Sequence, residues 1–238
     1  ALTDRLDYLS AHQSRHALCM CIEQAAGIEV SERAQYIRTI MDELQRIDSH
    51  LLFYSCLAMD MGALTPFFYG FREREMILDI FEDTTGGRLI QNYNVIGGVQ
   101  ADLHPDFVRK TKEFIVHLRS IIHEYHDIFT KSVIARTRLK GVGLLSREDA
   151  ISLGCTGGTG RASGWANDVR KQHPYAMYGK VDFKEITYTH GDAFDRYMVR
   201  MDEIMESCRI IEQLIDNVPE GEFRVKTKPI LKLPEGVF

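Results

Sequence analysis

The side chains best suited to chemistry crowd into sixteen residues, Asp60-Met-Gly-Ala-Leu-Thr-Pro-Phe-Phe68 followed by Phe71-Arg-Glu-Arg-Glu75. The stretch holds a lone Asp, a chain break at Gly62 and Pro66, aromatics and an alternating charge cluster. A carboxylate at the C-terminal end of a helix is mildly disfavoured by the helix dipole and often has a partner elsewhere, although on these grounds alone the simpler reading of Asp60 carries more weight. That reading is a solvated Asp that simply ends the helix. Tyr8, in Asp4-Arg-Leu-Asp-Tyr-Leu9, is the second candidate. Its phenol, with a reference pKa of about 10, stays protonated at neutral pH and can donate a hydrogen bond to a carbonyl. The alternative is a helix tyrosine with a half-buried ring, and pattern alone does not name an acceptor.

Other constellations carry less. The tract Gly154-Cys-Thr-Gly-Gly-Thr-Gly160 fits neither Gly-x-x-x-x-Gly-Lys-Ser/Thr nor Gly-x-Gly-x-x-Gly, and no clean strand precedes it, so it reads as a tight structural loop. His117, His123 and His126 with Glu113 and Glu124 divide between two helix faces, Glu113 with His117 and His123 with His126. They read as a solvated helix surface, and no metal site is expected. The five cysteines are odd in number and form no Cys-x-x-Cys pair, which fits reduced, buried thiols rather than a disulfide framework or thiolate-held metal. No Gly-x-Ser-x-Gly elbow or Cys/His nucleophile pairing appears.

The elements that must position these residues are mainly helical. Residues 3–26 read as one helix with Leu6, Leu9, Leu18, Ile22 and Ala25 apolar and Gly27 closing it. Ser31 suits the N-cap of a second helix, whose apolar residues Ile37, Ile40, Leu44, Ile47, Leu51, Tyr54, Ala58 and Met61 recur at steps of three and four. That helix should stop near Gly62, because Pro66 lacks an amide hydrogen and biases Thr65 away from helical angles. A third helix is expected over 73–84. An irregular or short extended stretch covers 88–103, and a helix runs from Pro105 to about Phe129. Beyond it come a short strand at 142–145, a capping box at Ser146-Arg-Glu-Asp149, a periodic helix over 191–217 and an extended tail over 226–234. The expectation is one mainly α domain over 1–238, a long-helix bundle with minor β pieces.

Composition narrows the partners. A hydrophobic fraction of 45% with 26% charged residues suits a soluble globular core, and a net charge of −5 argues against nucleic acid as an obligatory partner. No apolar run approaches the roughly 20 residues that span a bilayer, so membrane contact is expected only through partners. The start, Ala1-Leu-Thr-Asp-Arg-Leu-Asp, lacks a signal pattern and a Met and falls inside a helical pattern, so a fragment of a longer chain is expected.

Several blocks taken together resemble one family. They are Asp4-Arg-Leu-Asp-Tyr-Leu9, Arg33-Ala-Gln-Tyr-Ile-Arg-Thr-Ile40, the 60–68 and 71–75 blocks, Gly97-Gly-Val99, Arg161-Ala-Ser-Gly164, Asp168-Val-Arg-Lys171, His173-Pro-Tyr175 and Gly191-Asp-Ala-Phe-Asp-Arg-Tyr-Met-Val-Arg200. Their order and spacing, over essentially the whole chain, are similar to the D subunit of bacterial respiratory complex I, the quinone-site subunit of NADH:quinone oxidoreductase. Asn94-Val-Ile-Gly-Gly-Val99 and Glu212-Gln-Leu-Ile-Asp-Asn217 look closest to Bacteroidetes versions, in which the C and D subunits are often fused.

The resemblance implies a fold shared with the large subunit of nickel–iron hydrogenases and a place beside an iron–sulfur cluster held by the B subunit. It implies the B, C and H subunits as partners, quinone as substrate, no cofactor held by this chain alone and a peripheral location on the cytoplasmic face of the bacterial inner membrane. Tyr8 falls on the family's quinone-headgroup tyrosine, and Asp60 on the carboxylate that pairs with a His from an N-terminal loop. That loop and the family's C-terminal portion are absent, which leaves half of a headgroup site. Ile90 stands where many ubiquinone-reducing members have a His near the cluster, which implies a lower-potential cluster and menaquinone as acceptor. Two rivals remain at this point. One is the large subunit of an energy-converting nickel–iron hydrogenase, which needs two Cys-x-x-Cys pairs, and the other is a scaffold fragment without chemistry of its own.

Overall fold

The second helix organises the first part of the molecule. Ser31 Oγ accepts from Ala34 N at 3.3 Å and opens α2 (Glu32–Asp60). Residues 37–48 of α2 are buried over more than three turns, with only Arg46 half-exposed. A helix buried on every face cannot leave its polar side chains unmatched, because an unpaired buried charge costs several kcal/mol. The one-sided stripe read from the sequence is therefore half of the pattern. The other half is Arg38, Asp42, Glu43, Gln45 and Asp48, all buried.

The computed structural model describes residues 2–228 and 231–236. After a 3-10 turn at Thr3–Arg5 come α1 (Ala11–Ala26), α2, α3 (Leu64–Thr85), β1 (Asn94–Val95), β2 (Gly98–Val99) and α4 (Phe107–Tyr125). α4 passes into a π-helical turn at His126–Thr130, then α5 (Val133–Leu139), α6 (Arg147–Ser152), α7 (Gly157–Ala162), α8 (Val169–Gln172), a 3-10 turn at Tyr178–Lys180 and α9 (Ala193–Leu214) follow. The fold is mainly α, as expected. The chain forms two compact units, one of Ala1–Ser49, Glu75–Phe114 and Ile210–Phe238, the other of His50–Arg74 and Ile115–Arg209.

In the first unit, Ile37, Met41, Leu44, Phe81, Tyr93 and Phe114 are among the buried core. The strands β1 and β2 pair antiparallel, with Asn94 opposite Val99 and Val95 opposite Gly98. The tail closes on this hairpin, Val99 N donating to Phe223 O at 3.0 Å and Val225 N to Gly97 O at 2.9 Å. Glycine is needed at 98, since a Cβ there would meet Phe223 O at 2.2 Å. In the second unit the core is aromatic. Tyr54 stacks on Tyr125 at 4.6 Å between centroids and 12° between planes, and on Tyr197 at 6.5 Å, with Phe129 edge-on at 5.8 Å.

Several expectations need correction. Residues 3–26 are not one helix. The Asp7 carboxylate accepts from Leu9 N at 3.0 Å and from Ser10 Oγ at 2.8 Å, and this local turn competes with the helix and breaks it before Ala11. Nor does α1 bury its one leucine: Leu18 is 43% exposed, while His12, His16, Cys19 and Glu23 face inward. α3 begins at Leu64 rather than 73, because Pro66 fits a first helical turn where its missing donor costs nothing. Residues 142–145 form no strand. Gly141 and Gly143 have φ of +70° and +63°, and the segment bonds instead through Leu145 N to Gly191 O and Ala193 N to Val142 O. The glycine tract winds into α7 rather than remaining a loop. Ser146 does cap α6, accepting from Asp149 N at 3.0 Å. The tail is irregular over 226–228 and 231–234, and residues 229–230 lie outside the described residues.

Candidate functional site

Tyr8 lies in the first unit, at the tip of the turn between Thr3–Arg5 and α1. It is not a half-buried helix tyrosine. Its side chain is 58% exposed, and its hydroxyl has no hydrogen-bond partner among the described residues. The turn beneath it is well held. Besides the Asp7 bonds, Ser10 N donates to Asp7 O at 3.0 Å, and Asp4 is fully buried with its carboxylate 3.4 Å from Arg15 Nη1. Tyr8 is thus a free phenol donor on a braced loop.

Asp60 is the last residue of α2 and belongs to the second unit. Gly62, at φ +85°, ends the helix, and Ala63 N returns to Ala58 O at 2.8 Å, a left-handed C-terminal closure. Asp60 is exposed and makes no hydrogen bond or ion pair among the described residues. Met59, Leu64 and Phe68 nearby in the chain are 42%, 56% and 59% exposed, and Leu64 and Phe68 share one face of α3 at four residues apart. Phe67 packs on Phe68 and Phe71 at 5.3 and 4.7 Å. The two candidates sit in different units, each with its environment described above.

The structure also shows ionisable groups that the sequence did not single out. Along α1, His12, His16, Cys19 and Glu23 are spaced by four, three and four residues and form its buried stripe. His16 Nδ1 lies 2.6 Å from Asp42 Oδ2. Arg38 grips Glu23 with two bonds, of 2.9 and 2.7 Å, and donates to Val95 O and Gly98 O, while Glu23 also accepts from Gly97 N at 2.7 Å. Burial lowers the pKa of His12 to about 4, against the opposing pull of the Asp42 and Asp4 carboxylates, so His12 is neutral at pH 7. Its ring packs on Phe81 at 5.0 Å and on Tyr93 at 6.0 Å. The available signal was polar residues recurring at helical spacing opposite a weak apolar stripe.

In the second unit Glu73, from the Phe71-Arg-Glu-Arg-Glu75 block, is fully buried. It accepts from Arg72 Nε at 2.6 Å and from the Tyr125 hydroxyl, and sits 3.1 Å from His117 Nε2. Burial above all, then the bond to Glu73, pushes the Tyr125 phenol far above its ordinary range. His117 is thereby drawn to Glu73 and not to Glu113, which pairs with Arg109. Among the cysteines Cys19 and Cys208 are buried, but Cys56 and Cys155 are half-buried and Cys21 is exposed, so burial does not hold for all five. Cys21 follows Cys19 by two residues and so leaves the buried face of α1.

A cavity of about 620 Å³ lies on the outer side of α1, lined by Arg15, Leu18, Ile22, Ile96, Arg224 and Lys228 among others. Neither Tyr8 nor Asp60 lines it. No helix among the described residues is long and apolar enough to cross a membrane.

The sequence has many relatives. The profile of the family described as "Respiratory-chain NADH dehydrogenase, 49 Kd subunit" matches residues 60–236, which include Asp60 and begin after Tyr8. The fused C/D subunit of the NADH-quinone oxidoreductase of Bacteroides fragilis is 78% identical over all 238 residues, which correspond to 45% of that protein. The D subunit of the NADH-quinone oxidoreductase of Desulfotalea psychrophila is 45% identical over 98% of this chain and 63% of its own length. The protein of the same name in Bacillus cereus is 42% identical over 98% of this chain and 64% of its own length. The chain thus spans less than two thirds of these relatives. Neither the hydrogenase nor the scaffold reading has a counterpart among them.

Proposed function

Since the chain belongs to the family of the 49 kDa subunit of respiratory-chain NADH dehydrogenase, we propose that it builds part of the quinone-reduction chamber of an NADH:quinone oxidoreductase. In that role the Tyr8 hydroxyl donates to a quinone carbonyl. The observation that carries the reading is Tyr8 itself, 58% exposed and without an acceptor among the described residues, on a turn whose two ends are tied down. A donor held without a partner is pre-organised for a ligand, since no internal bond must break when the ligand arrives.

Reduction of a quinone to a quinol takes up two electrons and two protons. The five cysteines of this chain are scattered between buried, half-buried and exposed positions and form no paired donor set, so they do not fit a cluster. We assign the electron-donating iron–sulfur cluster to the neighbouring B subunit. Tyr8 would hydrogen-bond one quinone oxygen and steady the charge that develops there. Asp60 would orient and raise the basicity of a His from a part of the protein outside this sequence, as a carboxylate does for an adjacent imidazole. Ile90, where the family resemblance implies a His in many ubiquinone-reducing members, supports a low-potential donor with menaquinone as acceptor. The C and H subunits would complete the surroundings, at the cytoplasmic face of the inner membrane.

Replacing Tyr8 by Phe in the assembled complex removes one donor and almost no volume. Assembly should survive, while turnover with quinone should fall about 30-fold to 1000-fold, roughly 2–4 kcal/mol of transition-state stabilisation. An assembled Tyr8→Phe complex that reduces quinone at the wild-type rate would sink the assignment.

A further inference from the structure

The braced loop that carries Tyr8 depends on one side chain more than any other. Arg15 projects from the second turn of α1 and its guanidinium serves two separate pieces of chain. Nη1 pairs with the buried Asp4 carboxylate at 3.4 Å, in the 3-10 turn just before Tyr8. Nε donates to the backbone carbonyl of Asn94 in β1. Asn94 answers through its own side chain, Nδ2 donating to His12 O at 2.9 Å in the first turn of α1, just after Tyr8. The hairpin, the turn before Tyr8 and the helix after it are therefore joined through a single guanidinium and a single amide.

We propose that Arg15 is a positioning residue for Tyr8, holding the loop tip so that the phenol meets the quinone carbonyl in reactive geometry. The inference rests on the quinone reading of Tyr8. The planar fork suits arginine, because a single ammonium nitrogen cannot occupy both the Nη1 position beside Asp4 and the Nε position beside the Asn94 carbonyl. Asp4 cannot hold the loop by itself. Its second carboxylate oxygen, Oδ2, is buried without a hydrogen-bond partner, so Arg15 is what compensates its charge. Without Arg15 that acid must reach water or take up a proton, and either change loosens the segment from Asp4 to Ser10. Displacing a catalytic group by about 1 Å can cost on the order of a hundredfold in rate.

The test is a double-mutant cycle in the assembled complex, with kcat and KM for a short-chain quinone measured for Arg15→Met, Tyr8→Phe and the pair. Arg15→Met alone should lower kcat/KM about tenfold to a hundredfold, and in the Tyr8→Phe background its effect should shrink to less than about threefold. Arg15→Lys, which keeps the charge beside Asp4 but loses the Nε donor, should recover part of the loss. A merely structural arginine would instead depress both backgrounds equally, and that result, or no effect of Arg15→Met at all, overturns the proposal. If Tyr8→Phe is itself silent while Arg15→Met is not, the quinone reading of Tyr8 has failed, and the positioning of Tyr8 fails with it. Should Arg15→Met not assemble, Asp4→Asn and Arg15→Lys carry the same cycle. Failure of all three to assemble would mark the link as purely structural and overturn the proposal.

Discussion

The two compact units fill their dry interiors differently, although both contain buried ion pairs. In the first, residues 37–48 of α2 are buried, and two of their ionisable side chains are met from α1, Arg38 by Glu23 and Asp42 by His16. In the second, the centre is a stack of tyrosine rings. Tyr125 hydrogen-bonds Glu73 and Tyr197 hydrogen-bonds Thr130 at 2.6 Å, but the buried hydroxyl of Tyr54 has no partner among the described residues. Burial pushes the phenols of Tyr54, Tyr125 and Tyr197 well above their usual range, so all three stay neutral. Paired charges are directional and fix which face of α1 turns inward. Stacked rings need only shape, so the Tyr54 ring stack should tolerate the loss of a polar atom that the Arg38–Glu23 pair cannot.

Arg38→Met tests that contrast at its largest expected effect. It leaves the Glu23 carboxylate buried with a single donor, Gly97 N, and removes two carbonyl contacts to the hairpin. Breaking a buried pair from one side costs about 3–5 kcal/mol. Tyr54→Phe in the second unit deletes a hydroxyl that satisfies nothing and should change stability by less than about 0.5 kcal/mol, or raise it slightly. Chemical denaturation of both variants decides the matter. An Arg38→Met loss below about 1 kcal/mol, or a Tyr54→Phe loss above about 2 kcal/mol, would erase the distinction between the two interiors.

A second prediction sharpens the description of the first unit through pH. The ordinary pKa of His12 is 6.5 and its folded value is about 4, because burial opposes the imidazolium more than Asp42 and Asp4 favour it. As pH falls below 6.5 the unfolded chain takes up a proton that the folded chain refuses until about 4. The stabilisation from neutral His12 is therefore complete above pH 6.5 and is lost progressively down to pH 4, by roughly 3 kcal/mol in total. Asp4, Asp42 and His16 face the same group. The informative quantity is thus the difference between wild type and His12→Phe, which keeps a ring against Phe81 and Tyr93. That difference should grow as pH drops from 7 to 4. Parallel stability curves over that range would show that His12 is not held neutral.

How much of this was legible beforehand differs between the two units. α2, its Ser31 cap and its end at Gly62 followed from period and from backbone chemistry, which act locally. The buried face of α1 did not, because Leu18, Ile22 and Ala25 suggested one stripe while the polar side chains of α2 selected another. Partner choice between distant helices leaves no local mark in either sequence segment. The turn at Asp7 was missed because one side-chain hydrogen-bond network outweighed a helical pattern. At the candidate site Tyr8 and Asp60 were legible as residue types and through resemblance. Their exposure, and the bracing of Tyr8 by Asp4, Arg15 and Asn94, required knowing that residues 79 positions apart in sequence meet.

The smallest effect expected is at Asp60, the acid that stands furthest from the paired charges of α2. It lies on the same helix as Asp42, yet Asp42 is buried against His16 while Asp60 is exposed with no bond among the described residues. Asp60→Asn keeps the side-chain volume and removes a negative charge from a helix C-terminus, where the dipole disfavours it. The chain should therefore be unchanged in stability or gain up to about 0.5 kcal/mol, less at high salt. In the assembled complex the same substitution should lower quinone turnover and displace its pH optimum, because the paired His loses an oriented acceptor. Thermal unfolding of the chain and turnover of the complex, measured on one variant, separate the two roles. A destabilisation of the chain beyond about 1 kcal/mol would make Asp60 a structural carboxylate like Asp42, and its place at the candidate site would be lost.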